Sequence, residues 1–258
     1  MPPKIFDPRG KLLSLTSKLP ALFVVAYVGK AQEGNIFAEA EQDVEASLEG
    51  GADGVIFINE YSTYQDLEFV LQKMRPKYPN SVFGCNYLGD PNDLYGYKGT
   101  FRLVKEYNLQ IAWTDFSGVD LIQERPSISL HDIEMERPED VFYCSGVHMK
   151  YSTLLDPSKP LLKSAFQAMG WVDGILLTGP KTGILADPQN VREARNATYP
   201  YPLGLASGVS PENAHLIRDH VDFVLAATSL WEAPQRISAK RIRELAKALL
   251  TKDFPLSS

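Results

Sequence analysis

Continuous apolar runs begin near residues 21, 52, 81, 109, 141, 172, 201 and 222. Successive starts are 31, 29, 28, 32, 31, 29 and 21 residues apart, a period close to that of one strand–helix unit. Between the runs, apolar residues recur at helical spacing. Residues 35–51 place Ile36, Ala40, Val44 and Leu48 on one face and close on Gly50-Gly51, a C-terminal stop. Residues 63–77 carry Leu67, Val70, Leu71 and Met74 in the same way. Segments 93–108, 157–170, 187–198, 211–220 and 238–252 repeat the pattern. Asp187-Pro188 and Ser210-Pro211 each join a cap residue to a proline suited to the first helical position.

Unbroken apolar runs fit a parallel sheet buried on both faces, which leaves a closed barrel or an open doubly wound sheet. An open sheet favours a glycine-rich first turn. Here that turn is Val28-Gly29-Lys30-Ala31-Gln32-Glu33-Gly34, without a Gly-x-Gly-x-x-Gly order. Eight runs are what a barrel needs, so the expectation is an α/β fold, a (β/α)8 TIM barrel spanning residues 1–258 as one domain. Residues 1–18 are expected to form an arm or short helix capping the barrel floor. A second repeat supports the count: Asp53, Asp173 and Asp222 each stand between a helix end and a β-branched or leucine-rich run. The fourth unit is irregular. Residues 119–140 are charged, contain Pro126 and Pro138, and read as a longer loop over the mouth plus a short helix, either a gate or an elongated connection.

Composition narrows the partners. The 258 residues carry a net charge of −6 with no basic cluster, which argues against nucleic acid or an anionic membrane. No apolar stretch is long enough to span a bilayer. Leu19–Gly29 imitates a signal-peptide core, but the barrel needs it as its first strand, and a cytoplasmic protein is expected. Cys85 and Cys144, both within apolar runs and without metal-type spacing, read as buried free thiols. Trp231 and Tyr199-Pro200-Tyr201-Pro202 suit either a contact between copies in a homo-oligomer or packing at the barrel ends.

In such a barrel, chemistry sits where strands end and loops begin. Those ends supply Asn59 and Glu60, Asn86, Asp115, His148 and Lys150, then Thr178, Gly179 and Lys181. The last two units end in Ser207-Gly208 and Thr228-Ser229, small residues and hydroxyls that let a phosphate approach backbone N–H groups. Glu60 and Asp115 are the expected proton-transfer groups. His148 and Lys150, two apart, would face one side of a strand and stabilise negative charge or polarise a carbonyl. Asn59, Asn86, Thr178, Gly179 and Lys181 are expected to contact the substrate. No cofactor is implied. A metal held by Glu60, Asp115 and His148 lacks a local ligand motif, so none is expected.

Several of these pieces resemble the BtpA/SgcQ family. Val147-His148-Met149-Lys150 is similar to its Val-His-Val-Lys, and Ser207-Gly208-Val209-Ser210-Pro211-Glu212-Asn213 to its Ser-Gly-Val-x-x-Glu-Asn. Thr178-Gly179-Pro180-Lys181-Thr182-Gly183, Thr228-Ser229-Leu230 and Gly84-Cys85-Asn86 also resemble family motifs. Ala26-Tyr27 stands where the family usually has a histidine, Gly146 where it has an aspartate, and Asn59-Glu60 where it reads Glu-Asn. The resemblance implies a divergent TIM-barrel relative of a family whose activities are mostly unassigned. The combined expectation is an enzyme acting on a small phosphorylated metabolite by isomerisation, lyase or N-glycosidic chemistry. The alternative is a non-catalytic, BtpA-like assembly factor or metabolite-binding barrel.

Overall fold

The eight apolar runs become eight parallel strands. The computed structural model describes residues 7–30, 35–89, 96–121, 123, 130–233 and 236–250. Its strands are β1 (Ala21–Tyr27), β2 (Gly54–Ile58), β3 (Phe83–Asn86), β4 (Ile111–Thr114), β5 (Phe142–Gly146), β6 (Gly174–Leu177), β7 (Leu203–Leu205) and β8 (Phe223–Ala226). They pair in that order, and β8 returns to β1 with Ala21 opposite Phe223, closing a (β/α)8 barrel. Each starts within two residues of its expected position. A short antiparallel pair, β9 (Trp231–Ala233) and β10 (Arg236–Ile237), follows β8.

Side chains alternate between two apolar layers, as strand geometry requires. Phe23, Val25, Ile56, Ile58, Ile111, Trp113, Phe142, Leu176, Phe223 and Leu225 fill the barrel interior. Leu22, Val24, Val55, Phe57 and Ile175 face outward beneath the helices. Inside, the Phe142 and Phe223 rings meet nearly edge-on at 5.4 Å. A Cβ at Gly174 or Gly204 would lie 2.7 or 2.5 Å from these rings, so absence of a side chain there is a volume requirement. Cys85 and Cys144 are buried and free.

The helices are α1 (Pro8–Leu15), α2 (Ile36–Gly50), α3 (Tyr64–Lys77), α4 (Tyr97–Glu106), α5 (Leu130–Glu136), α6 (Leu161–Ala168), α7 (Pro188–Thr198) and α8 (Ala239–Leu250). Asn35 caps α2, Gly51 ends it at φ 83°, Thr63 and Asp66 form a capping box on α3, and Asp187 caps α7. The helix expected at 211–220 does not form; two 3-10 turns, Ala214–Leu216 and Arg218–His220, replace it. Asn213 explains the difference. Its carboxamide accepts from the Ser210 N–H and donates to the Gly208 carbonyl, folding the chain back where a helix would run forward. The start of the helix expected at 93–108, the end of the one expected at 238–252, and residues 122 and 124–129 of the long loop lie outside the described residues.

At the barrel floor the aspartate repeat acquires a meaning. Asp53 donates its own N–H to the Leu22 carbonyl and accepts the Leu22 N–H on its carboxylate at 2.9 Å. Asp173 treats Tyr143 in the same way, and Asp222 treats Leu203. Three times, one residue satisfies both backbone groups at the start of the preceding strand. Helix α1 and its C-cap then seat on all three: Thr16 donates to Asp53 at 2.7 Å, Lys11 to Asp173 at 3.2 Å and Arg9 to Asp222 at 3.3 Å. Leu12 plugs the interior between them. Arg137 and Arg195 complete the pairs with Asp173 and Asp222.

His148 corrects the expectation drawn from strand spacing. β5 ends at Gly146, and His148 lies beyond it at φ 48°, so residues 148 and 150 do not share a strand face. Its amide donates to Asp120 at 3.0 Å, and its Nε2 meets the Ser164 hydroxyl at 3.0 Å. Ser164 and Lys159 also donate to Asp120, joining the loop after β4 to α6. Ser164 gives its proton to the carboxylate, so the imidazole Nε2 must donate to Ser164. Burial pulls the His148 pKa below its ordinary value, partly opposed by Asp120. Asp120 is held below the usual carboxylate range: burial works against this, and hydrogen bonds from Ser164, the His148 amide and Lys159 prevail.

Two outcomes are expected. Asp173→Ala strands Arg137 and Lys11 against a fully buried gap and costs ~3–5 kcal/mol in urea unfolding, whereas the partly exposed Asp53→Ala costs ~1–3 kcal/mol. Equal losses would contradict the clamp. Second, the unfolded chain takes up the His148 proton first as pH falls from about 6.5, so stability drops there. His220, also lowered by burial, acts with the same sign. His148→Asn, which tolerates a positive φ, flattens the stability profile between pH 7 and 5; an unchanged slope would refute this.

Candidate functional site

A cavity of about 370 Å³ opens at the C-terminal ends of the strands. Glu60 beyond β2, Asn86 at the end of β3, Asp115 beyond β4 and Lys150 beyond β5 line one side. Ser207-Gly208 and Thr228-Ser229, from the loops after β7 and β8, line the other. Val25, Ile58 and Leu225 form an apolar stretch of its lining.

The small-residue corner is held by its own hydrogen bonds. Ser207 Oγ donates to the Lys181 carbonyl at 3.1 Å, and Ser229 Oγ to the Val209 carbonyl at 2.6 Å. Both hydroxyl protons are committed, so neither serine is free to donate into the cavity. Thr228–Leu230 is a 3-10 turn, whose first N–H groups have no partner within the turn. Gly208 adopts φ 67°, and a Cβ on it would lie 2.1 Å from the Ile184 backbone, so only glycine lets the loops after β6 and β7 cross. Arg241 spans the loops after β7 and β8. Its guanidinium grips Glu212 at 2.6 and 3.1 Å and donates to the Ser229 carbonyl at 3.3 Å. Hydrogen bonds from Arg241, then Ser210 and its own amide, hold the Glu212 carboxyl near a pKa of about 2.

Across the mouth, Asn86 donates from Nδ2 to Asp115 at 3.0 Å. Glu60 is exposed at the rim. Tyr27 lies within their field: burial raises its phenol pKa, and Glu60, Tyr61 and Asp115 raise it further. The same ring packs edge-on to Tyr61 at 5.7 Å and to Trp231 at 5.9 Å. Trp231 therefore packs in part at the barrel mouth. The Lys150 ammonium lies 6.0 Å from the centre of the Tyr151 ring, whose hydroxyl accepts from the Thr182 N–H.

The remaining expected residues shape the loops instead of lining the cavity. Asn59 accepts the Leu88 N–H at 2.9 Å, and Thr178 donates to the Gly179 carbonyl at 2.8 Å. A Cβ on Gly179 would sit 1.8 Å from the Ile184 carbonyl, and Lys181 contributes its carbonyl to Ser207. His148 belongs to the Asp120 network and does not line the cavity. Tyr27 and Thr182, which stand at strand ends in the sequence but carry no assigned role there, also line it, as does Trp113, which no sequence pattern singles out. Among the described residues, no group of three or more His, Cys, Asp or Glu side chains is arranged to hold a metal. No helix among them is long and apolar enough to cross a membrane.

No family model matches the chain. An uncharacterized protein of Pyrococcus horikoshii is 27% identical over 140 residues, 53% of this chain and 52% of that protein. The alignment thus covers about half the length of the curated relative. Among solved structures, tryptophan synthase of Mycobacterium tuberculosis superposes with a TM-score of 0.67 at 15% identity, over 95% of this chain and 98% of that one. Thiamine phosphate pyrophosphorylase of Pyrococcus furiosus gives 0.61 at 13%, over 89% and 95%. Phosphoribosyl anthranilate isomerase of Thermus thermophilus gives 0.58 at 16%, over 89% and 98%. At these identities the likeness is one of fold, and the fold is that of a TIM barrel.

Proposed function

We propose that this chain is an enzyme acting on a small phosphorylated metabolite, a sugar phosphate or nucleotide, by acid–base chemistry. One observation carries the reading: the small-residue corner of Ser207-Gly208 and Thr228-Ser229 and the two carboxylates Glu60 and Asp115 share a single cavity small enough for one metabolite. The backbone N–H groups of Gly208, Thr228 and Ser229 hold the phosphate, helped by the Thr228 hydroxyl. Glu60 and Asp115 exchange protons with the substrate, while Lys150 stabilises negative charge developing on an oxygen. Isomerisation, lyase chemistry and N-glycosidic cleavage all use that equipment. The names of two structural neighbours contain phosphorylated compounds, which agrees with this reading. The Ser-Gly-Val-x-x-Glu-Asn and Thr-Ser-Leu stretches, which form and brace the corner, support a divergent tie to the BtpA/SgcQ family.

The test is a thermal-shift screen of phosphorylated metabolites followed by turnover assays on those that stabilise the protein. Ser207→Asp brings a carboxylate to the corner and weakens phosphate-ester binding at least about tenfold by repulsion. Glu60→Gln or Asp115→Asn lowers kcat about 10²–10⁴-fold with little change in KM. If no phosphate ester raises the melting temperature, or Ser207→Asp binds as the parent does, the reading fails. Arg241→Met unties the two loops and weakens phosphate binding about five- to tenfold, measured by calorimetry. Unchanged affinity would show that Arg241 does not organise the corner.

A further inference from the structure

Two buried polar atoms belonging to cavity-lining residues have no hydrogen-bond partner among the described residues: the Trp113 indole Nε1 and the Asn86 carboxamide oxygen. Trp113 is 6% exposed and Asn86 1%. Native folds rarely leave a buried donor or acceptor unpaired, and a binding site is one place where they do. The orientation of the Asn86 amide follows from its neighbour. Asp115 as a carboxylate only accepts, so the amide NH2 must face it, at 3.0 Å, and the oxygen is left to accept. The indole N–H can only donate.

Both atoms belong to neighbouring strands, β3 and β4, whereas the anion corner follows β7 and β8. In the closed order β1 to β8 these pairs stand on opposite sides of the barrel. Asp115 beside Asn86 and Glu60 at the rim oppose a second negative charge on the β3–β4 side. We infer that the end of the ligand remote from its phosphate is uncharged and presents one hydrogen-bond donor to Asn86 Oδ1 and one acceptor to Trp113 Nε1. A hydroxyl-bearing sugar or the N–H/C=O edge of a nucleobase supplies that pair. An aldonic acid or a second phosphate does not. This rests on the phosphorylated-metabolite reading above and refines its substrate class.

Calorimetric titration of the full chain with five probes tests it: inorganic phosphate, pentyl phosphate, ribose 5-phosphate, uridine 5′-monophosphate and 5-phosphoribonate. Ribose 5-phosphate or uridine 5′-monophosphate is expected to bind at least tenfold tighter than pentyl phosphate and 5-phosphoribonate, and whichever leads identifies a hydroxyl or a nucleobase edge. Trp113→Phe keeps the ring and removes the N–H. It weakens the leading ligand about tenfold and pentyl phosphate less than twofold; Asn86→Leu gives the same selective loss. Pentyl phosphate binding as tightly as the polar ligands, 5-phosphoribonate binding tightest, or Trp113→Phe weakening all probes equally would overturn the inference while leaving the phosphate corner standing. Absence of binding by all five would overturn both.

Discussion

A closed parallel barrel has one register in which its inward residues meet, and here three aspartates at the floor set it. Asp53, Asp173 and Asp222 each engage the N–H and the carbonyl of one residue at the start of the preceding strand. A one-residue slip in any of these pairings would leave a buried carboxylate unmatched and send Phe23, Phe142 or Phe223 out of the interior. Helix α1 and its C-cap Thr16 add positive or hydroxyl partners to all three, so one early segment locks strands that close the barrel much later in the chain. The geometry of the mouth depends on this floor, because each loop starts where its strand's register leaves it.

The mouth is built on a different principle. Its loops spend hydroxyl protons on neighbouring carbonyls, Ser207 to Lys181 and Ser229 to Val209, so that the backbone is fixed before any ligand arrives. Asn213 and Arg241 extend the same bracing outward. Polar residues near the strand ends therefore divide into two kinds. Asn59, Thr178 and His148 hold loops in place, whereas Glu60, Asn86, Asp115 and Lys150 border the cavity.

That division explains what the sequence could and could not reveal. Strand positions were legible because apolar runs recur at a nearly constant interval. The aspartate repeat was visible as a pattern, but its purpose required the partner strand, which lies about 20–30 residues away in sequence. The helix at 211–220 was misread because Ser210-Pro211 looks like a helix start, while Asn213 closes the turn through contacts no periodicity shows. His148 was misplaced because parity along a strand holds only while the strand lasts, and β5 stops at Gly146. Trp113 is not legible as a lining residue because an aromatic residue within an apolar run looks the same whether it faces the core or the mouth.

The charge of the chain bears on how the proposed site would capture an anion. At a net −6 the protein gives a phosphate ester no long-range attraction, and Glu60 and Asp115 sit in the same cavity. On the proposed function, capture would then come from groups that act at contact: backbone N–H dipoles, one threonine hydroxyl and Lys150. Dipoles at hydrogen-bond distance are screened little by salt, while attraction between separated charges falls off within about 10 Å at 0.1 M ionic strength. Arg241 is committed to Glu212 outside the cavity lining, so the proposed phosphate corner is made of amides and not of a guanidinium. On the proposed function, holding the phosphate without a guanidinium is what would let one cavity combine an anion corner with the Glu60 and Asp115 carboxylates.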